Sequence, residues 1–215
     1  MEIIHQSIAL FHKGGPVMYL LLASSLYVLA IAVERFLYYR SISVNSQSFQ
    51  NKLHSLLEKQ HFSEAIHLCE QTSAVVAKVA LAGLQAHQRG SQLENALESA
   101  AALAAVRLRE RLDDLSTVVT LAPLLGLLGT VIGMINSFSV FSVQSGQPLA
   151  ITGGVGEALV ATATGLSVAT IALVLHSFFS RRANHLITEL EQTAGLVVGY
   201  LLIKKTGRRD SHEIA

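Results

Sequence analysis

The sequence predicts an all-α membrane protein with three transmembrane helices. Of its 215 residues, 51% are hydrophobic and only 14% are charged, whereas an ordinary soluble domain is about 25% charged. Three segments reach the roughly 20 apolar residues that a spanning helix needs. The alternation of polar and apolar residues that a transmembrane barrel requires is missing from the sequence. This composition argues against a soluble enzyme.

The predicted spans cover residues 16–39, 115–143 and 155–179. The first span resembles a signal peptide in its preceding lysine and its small-residue "AIA". Its apolar run resumes after Glu34 and Arg35, however, so we interpret it as an anchor that is not removed. A fourth apolar segment, residues 193–203, is too short to span and is interpreted as the apolar face of a packed helix.

The distribution of lysine and arginine predicts the orientation, because cytoplasmic loops are enriched in both. Residues 1–15, which we predict to form an outer amphipathic helix, carry one basic residue, Lys13, and the loop 144–154 carries none. Residues 40–114 and 180–215 hold most of the others: Arg40, Lys52, Lys59, Lys78, Arg89, Arg107, Arg109, Arg111, Arg181, Arg182, Lys204, Lys205, Arg208 and Arg209. We therefore place the N-terminus and the loop outside, and the two basic regions in the cytoplasm. Arg35, at the inner end of the first span, is expected to snorkel.

Two of the three spans are predicted to extend into the cytoplasm as a stalk. Gly90 ends one helix, and Ser91 with Glu94 matches a capping box for the next. Because no glycine or proline follows until Pro123, we expect one continuous helix from Ser91 to Val143. The third span is expected to continue through "SRRANHLITELEQ", antiparallel to this helix.

Small residues indicate where the second and third spans contact each other, since close backbone approach drives helix association in lipid. In the second span these residues are Gly126, Gly129 and Gly133, and in the third Ala161 and Gly165. Pro123 is expected to bend the second span or to free a carbonyl near it.

Polar residues mark the same two spans. The hydroxyl and amide side chains are Thr117, Thr120, Thr130, Asn136, Thr162, Thr164, Ser167 and Thr170. Singly, such hydroxyls bond their own helix, whereas as a group they also suit a wetted path. Glu157 is either an interfacial charge in a first helical turn or a functional intramembrane acid. At about 100° per residue, Thr162 lies about 140° from Glu157, so one faces a pore and the other a neighbouring helix.

The stretches "LAPLLGLLGTVIGMINSF" and "GVGEALVATATGL" resemble the signature of the MotA/TolQ/ExbB proton-channel family. The resemblance is strongest over residues 115–182 and continues more weakly through "VERFLYYR" and "AIHLCEQTSAVVAKVALAGL". The chain length and the short outer loop are similar to the ExbB/TolQ branch. The MotA branch is longer and has a fourth span.

This resemblance implies a homopentamer in the bacterial inner (plasma) membrane, with the second and third spans around a central pore. A single-span ExbD/TolR-like partner, as a dimer, would occupy the pore, and a TonB-like protein would receive the work. By motif match, Thr130 and Thr162 correspond to pore-lining threonines of the family, and Glu157 to its glutamate. Lipid is the remaining expected partner, and no nucleic acid, cofactor or metal is expected.

Glu157 is the only acidic residue between Leu115 and Thr188. In the family the main titrating group is an aspartate of the partner, so the resemblance implies that this chain is a housing subunit. The alternatives are a scaffold without ion conduction, a Tol-type motor for envelope maintenance and a stand-alone ion channel. The sequence also leaves sodium as an alternative to the proton as the ion that drives the motor. An enzyme is least expected, because no nucleophile–base set or phosphate loop occurs.

Overall fold

The computed structural model describes residues 15–42, 46–143 and 148–213, and within these ranges the regular structure is helical. The helices are α1 (Val17–Ile42), α2 (Ser46–Glu58), α3 (Phe62–Gln71), α4 (Val75–Gln88), α5 (Leu93–Arg109), α6 (Leu112–Val143) and α7 (Pro148–Glu213). The predicted outer helix, residues 1–15, lies outside the described residues except for Gly15, and so does the start of the predicted loop, residues 144–147.

The described chain divides into two compact units. The span unit contains residues 15–34, 111–143 and 148–179, and the leucine unit contains residues 35–42, 46–110 and 180–213. Three helical stretches are long and apolar enough to cross a membrane: Val17–Ile42, Leu93–Ser139 and Gly153–Leu201. The prediction of an all-α protein with three apolar membrane-length helices is confirmed.

Many of the large apolar side chains of the span unit lie on its outside. Ile135 of α6 is 61% exposed and Leu159 of α7 is 64% exposed, whereas Ala122 and Ala161 are fully buried. A soluble domain buries such large side chains in preference to alanine. This inverted distribution suits a surrounding of lipid, where exposed leucine and isoleucine have no hydrophobic penalty.

The leucine unit has the distribution of a soluble helical domain. In sequence order, helices α2 to α5 each pack on the next, and Leu53, Leu84 and Leu97 are fully buried among them. On α7, Val197 and Leu201 are also buried. Residues 193–203 therefore begin with a packed apolar face, as the sequence predicts.

The end of α4 is a Schellman motif built on Gly90. Gly90 has a φ of 70°, its N–H donates to the His87 carbonyl at 3.1 Å, and the Ser91 N–H donates to the Ala86 carbonyl at 3.0 Å. The predicted capping box is wrong, because the Ser91 hydroxyl turns back and donates to the same Ala86 carbonyl. Helix α5 begins instead after Gln92, which makes no side-chain capping bond.

The predicted continuous helix from Ser91 to Val143 is also wrong. Helix α5 ends at Arg109, since Glu110 leaves the helical conformation (ψ 141°) and Arg111 has a φ of 66°. Neither residue is a glycine or proline, so the interruption leaves no ordinary mark in the sequence. Its cause is tertiary: two side chains of α1 bind the carbonyl groups at the end of α5.

These two side chains are Arg35 and Tyr39. An Nη atom of Arg35 donates to the Arg107 carbonyl at 3.3 Å, and the Tyr39 hydroxyl donates to the Leu108 carbonyl at 2.6 Å. Arg35 also lies 3.8 Å from the Glu110 carboxylate and is only 3% exposed. The prediction that Arg35 snorkels is therefore wrong, because its guanidinium is used to end a helix whose last carbonyls need donors.

Helix α7 begins earlier than the sequence predicts. It starts at Pro148, so residues 148–154 of the predicted outer loop are helical. Proline suits the first position of a helix, where its missing N–H has no partner to lose. The helix then continues to Glu213, as expected for a third span that runs into the tail.

Candidate functional site

Helices α6 and α7 touch backbone to backbone through glycines. A Cβ atom built on Gly126 would lie 3.1 Å from the Thr162 Cα, and one on Gly165 would lie 2.6 Å from the Ala122 carbonyl oxygen. A Cβ atom on Gly129 would overlap the Ala161 methyl group. Any side chain at Gly126 or Gly165 would therefore meet backbone, which cannot move aside as a flexible side chain can.

The same contact continues toward the start of α7. A Cβ atom on Gly133 would lie 3.0 Å from the Gly154 carbonyl oxygen, and one on Gly154 would overlap the Ser137 hydroxyl. Ser137 is buried and donates to the Gly133 carbonyl of its own helix at 2.9 Å. The small-residue contact therefore extends from Gly165 to Gly154 along α7.

Thr162 links the two helices with a hydrogen bond. Its hydroxyl donates to the Gly126 carbonyl of α6 at 3.0 Å. The carbonyl is reachable because Gly126 has no side chain to hold the helices apart. Thr162 thus faces a neighbouring helix of the same chain.

The other span hydroxyls bond their own helices. Thr130 donates to the Leu127 carbonyl at 2.6 Å, and Thr164 donates to the Val160 carbonyl at 2.8 Å. Thr117, Thr120, Ser167 and Thr170 each donate to the carbonyl four residues earlier. Such back-bonding satisfies a hydroxyl in an apolar surrounding without a neighbour. Within the single chain, these hydroxyls do not form a chain of bonds with one another.

Glu157 lies in the first half of α7, beside the start of α1. A Cβ atom on Gly15 would overlap the Glu157 Oε1 atom and would lie 3.2 Å from its Cδ atom. The side chain is half-buried. Glu157 and Thr162 therefore lie against different helices, Glu157 against α1 and Thr162 against α6, while Pro123 lies inside α6. No sequence pattern indicates the Gly15 contact, since Gly15 only marks the end of the predicted outer helix.

A polar cluster that no sequence pattern indicates joins α1 and α6 within the span unit. The Tyr27 hydroxyl donates to the Asp114 carboxylate at 2.8 Å, and Arg111 lies 3.6 Å from Asp114 and 3.9 Å from Glu34. The acidic residues Asp113 and Asp114 occupy the first turn of α6, where the helix dipole favours negative charge. The cluster therefore stabilises the start of α6 and attaches it to α1.

Comparison with known proteins finds a matching family and a similar protein. The profile of the MotA/TolQ/ExbB proton channel family matches residues 71–192. A protein of Methanothermobacter thermautotrophicus, described as a putative biopolymer transport protein ExbB homolog, is 31% identical over 184 residues. The aligned part covers 85% of this chain and 66% of that relative, so the chain spans slightly less than two thirds of the relative's length.

Proposed function

Because the chain belongs to the MotA/TolQ/ExbB proton channel family, we propose that it is the housing subunit of a motor driven by the proton-motive force. Five copies surround a pore in the inner (plasma) membrane, with the N-terminus outside and the C-terminus in the cytoplasm. Helices α6 and α7 line the pore. An ExbD/TolR-like single-span protein occupies it as a dimer, and the motor energises TonB-dependent transport or a related envelope process.

The observation that carries this proposal is the backbone contact between α6 and α7. Helices that touch through glycine, with a threonine hydroxyl bonded across the contact, form a stiff pair. The opposite faces of this pair present large side chains such as Leu127, Ile135 and Leu159. A stiff wall with apolar outer faces suits a subunit that packs against lipid and its own copies while a partner moves inside.

The shortage of acidic groups supports a housing and not a complete motor. Glu157 is the only Asp or Glu between Leu115 and Thr188, and the span hydroxyls are mostly bonded to their own helix carbonyls. A proton pathway through a membrane needs titrating groups. The proposal therefore gives Glu157 a role in proton access, Thr130 and Thr162 a role as hydroxyls beside the path, and the main carrier to the partner.

A second candidate function is a scaffold that positions partners without conducting ions. The bonding of most span hydroxyls to their own helix favours it, because such hydroxyls satisfy themselves and do not require water. A Tol-type motor for envelope maintenance differs from the main proposal only in the process that receives the work.

The first experiment measures the composition of the complex. The chain is co-expressed with the single-span product of a neighbouring gene, purified in mild detergent and weighed intact by native mass spectrometry. Five copies with two partner chains are expected. Five copies that never retain a partner would contradict the motor and favour the scaffold.

The second experiment compares two threonines of α7 in proteoliposomes that contain the complex. Thr162→Val removes the donor to the Gly126 carbonyl, whereas Thr164→Val removes only a bond within α7. Interhelical hydrogen bonds in membranes average about 0.6 kcal/mol, so we expect a Thr162→Val protein that assembles but conducts protons more slowly. The matched Thr164→Val variant should conduct like the parent, and equal rates in all three proteins would refute a role for Thr162.

A further inference from the structure

The Glu157 carboxylate packs directly on the backbone at the start of α1. The whole end of the side chain lies over Gly15, since a Cβ atom there would overlap Oε1 and would lie 3.2 Å from Cδ and 3.7 Å from Cγ. Gly15 also has a φ of 70°. A side chain at this position is therefore disfavoured for two independent reasons, the backbone conformation and the Glu157 side chain beside it.

The contact lies at the N-terminal end of α1, where a negative charge is favourable. The Gly15 carbonyl accepts the N–H of Met18 at 3.2 Å, and the Pro16 carbonyl accepts the N–H of Tyr19 at 3.3 Å. These are the first bonds of the helix, so the N–H groups around them have no earlier partner within α1. The carboxylate therefore lies beside the N-terminal end of α1, where the helix dipole favours negative charge.

We propose that Gly15 is a positioning residue for Glu157. The missing side chain at Gly15 lets the carboxylate approach the start of α1, and the dipole of α1 then holds its charge there. The inference rests on the proposed function, in which Glu157 serves proton access. It adds that the first span, which is not expected to line the pore, sets the position of the acid on the third.

The test compares two glycines with the same backbone conformation. Gly90 has the same φ of 70° as Gly15, but a Cβ atom there meets nothing within 4 Å. Gly15→Ala and Gly90→Ala therefore carry a similar backbone strain, and only the first displaces the carboxylate. A displacement of about 1 Å at a functional group costs up to about 100-fold in rate.

Proton flux is measured in proteoliposomes that contain the complex of this chain with its single-span partner. We expect a loss of about tenfold or more for Gly15→Ala and a flux within about twofold of the parent for Gly90→Ala. The double variant Gly15→Ala/Glu157→Asp shortens the acid by one methylene and should recover part of the flux. Equal losses for the two alanine variants, or no recovery in the double variant, would overturn the inference.

A second measurement reports the position of the carboxylate without using flux. Dicyclohexylcarbodiimide labelling of Glu157 is followed by mass spectrometry in the same complexes, with Glu157→Gln as the unlabelled control. Gly15→Ala should label faster than the parent, because the carboxylate leaves its packed place, and Gly90→Ala should label like the parent. Identical labelling of all three proteins would overturn the inference even if Gly15→Ala assembles poorly.

The two measurements separate this inference from the proposed function. If Glu157→Gln leaves the flux unchanged, the proposed role of Glu157 in proton access is refuted, and labelling alone decides whether Gly15 positions the side chain. If Glu157→Gln abolishes the flux while Gly15→Ala does not change it, the proposed function stands and the positioning role of Gly15 is refuted.

Discussion

The span unit and the leucine unit pack their helices through different kinds of residue. In the span unit the contact between α6 and α7 is made by glycine and alanine, and large side chains such as Leu127, Ile135 and Leu159 face outward. In the leucine unit Leu53, Leu84 and Leu97 fill the interior. Water drives large apolar side chains together, whereas in lipid no such drive exists and close backbone approach provides the contact energy.

A glycine in each unit makes the contrast specific. A Cβ atom on Gly83 of α4 would lie 2.6 Å from the Leu97 Cδ2 atom, and one on Gly165 of α7 would lie 2.6 Å from the Ala122 carbonyl oxygen. The distances are equal, but the obstacles differ. In the leucine unit the obstacle is the movable end of a side chain, and in the span unit it is backbone. The span unit is therefore the less tolerant of added volume, and the leucine unit depends more on the volume it already has.

The largest expected effect comes from removing buried side-chain volume in the leucine unit. Leu97 is 2% exposed, and Leu103 on the same helix is 55% exposed. Leu97→Ala should lower the free energy of unfolding by about 2–5 kcal/mol, because it removes buried methyl groups and leaves a cavity. Leu103→Ala should change it by less than about 0.5 kcal/mol. Thermal unfolding in detergent measures both, and equal shifts of Tm would contradict a water-type core in the leucine unit.

The next largest effect on stability comes from adding a methyl group at glycines of the two units. Gly165→Ala should destabilise the protein by about 1–3 kcal/mol, since the helix pair must separate around the new methyl group. Gly83→Ala should cost less, because Leu97 can shift. Gly195 lies on α7 with open space around it, so Gly195→Ala should be neutral or stabilise by about 0.5–1 kcal/mol. A Gly83→Ala variant less stable than Gly165→Ala would break the comparison.

The smallest effect concerns Cys69, a probe of how well the leucine unit excludes water. Burial raises the pKa of the Cys69 thiol to about 12, whereas an unfolded thiol has a pKa of about 8.5. Maleimide labelling of the folded protein should therefore stay slow between pH 7 and 9, while labelling of the denatured protein should rise about tenfold per pH unit below its pKa. Cys69→Ala is the unlabelled control.

The raised pKa of Cys69 also determines how this thiol makes the stability of the protein depend on pH. Below the unfolded pKa the thiol is neutral in both states, so its contribution to folding is fully present at pH 7. As the pH rises from about 8.5 toward 12, only the unfolded state ionises, and this contribution is progressively lost. Fast labelling of the folded protein at pH 8, matching that of the denatured protein, would show that the interior around Cys69 is open.

The features that can be predicted from the sequence are those that depend on local composition. Apolar length gave the three membrane-length helices, because transfer of such helices into lipid depends on residue content and not on partners. Gly90 gave the end of α4, since only glycine adopts its backbone conformation without cost. The small residues of the second and third spans could be named as contacts in advance, and the two sequence stretches that carry the family resemblance lie in the same spans.

The features that the sequence does not predict depend on contacts between residues far apart in the chain. The break at Glu110 and Arg111 carries no local signal, because Arg35 and Tyr39 provide its donors from α1. The Ser91 hydroxyl binds a carbonyl of the preceding helix and does not cap the following one. Both partners are near in the sequence, so residue spacing does not decide between them. The contact of Glu157 is equally unpredictable from local sequence, because its neighbour Gly15 lies far from it along the chain. Such contacts follow from packing in space, which the order of residues along one helix does not encode.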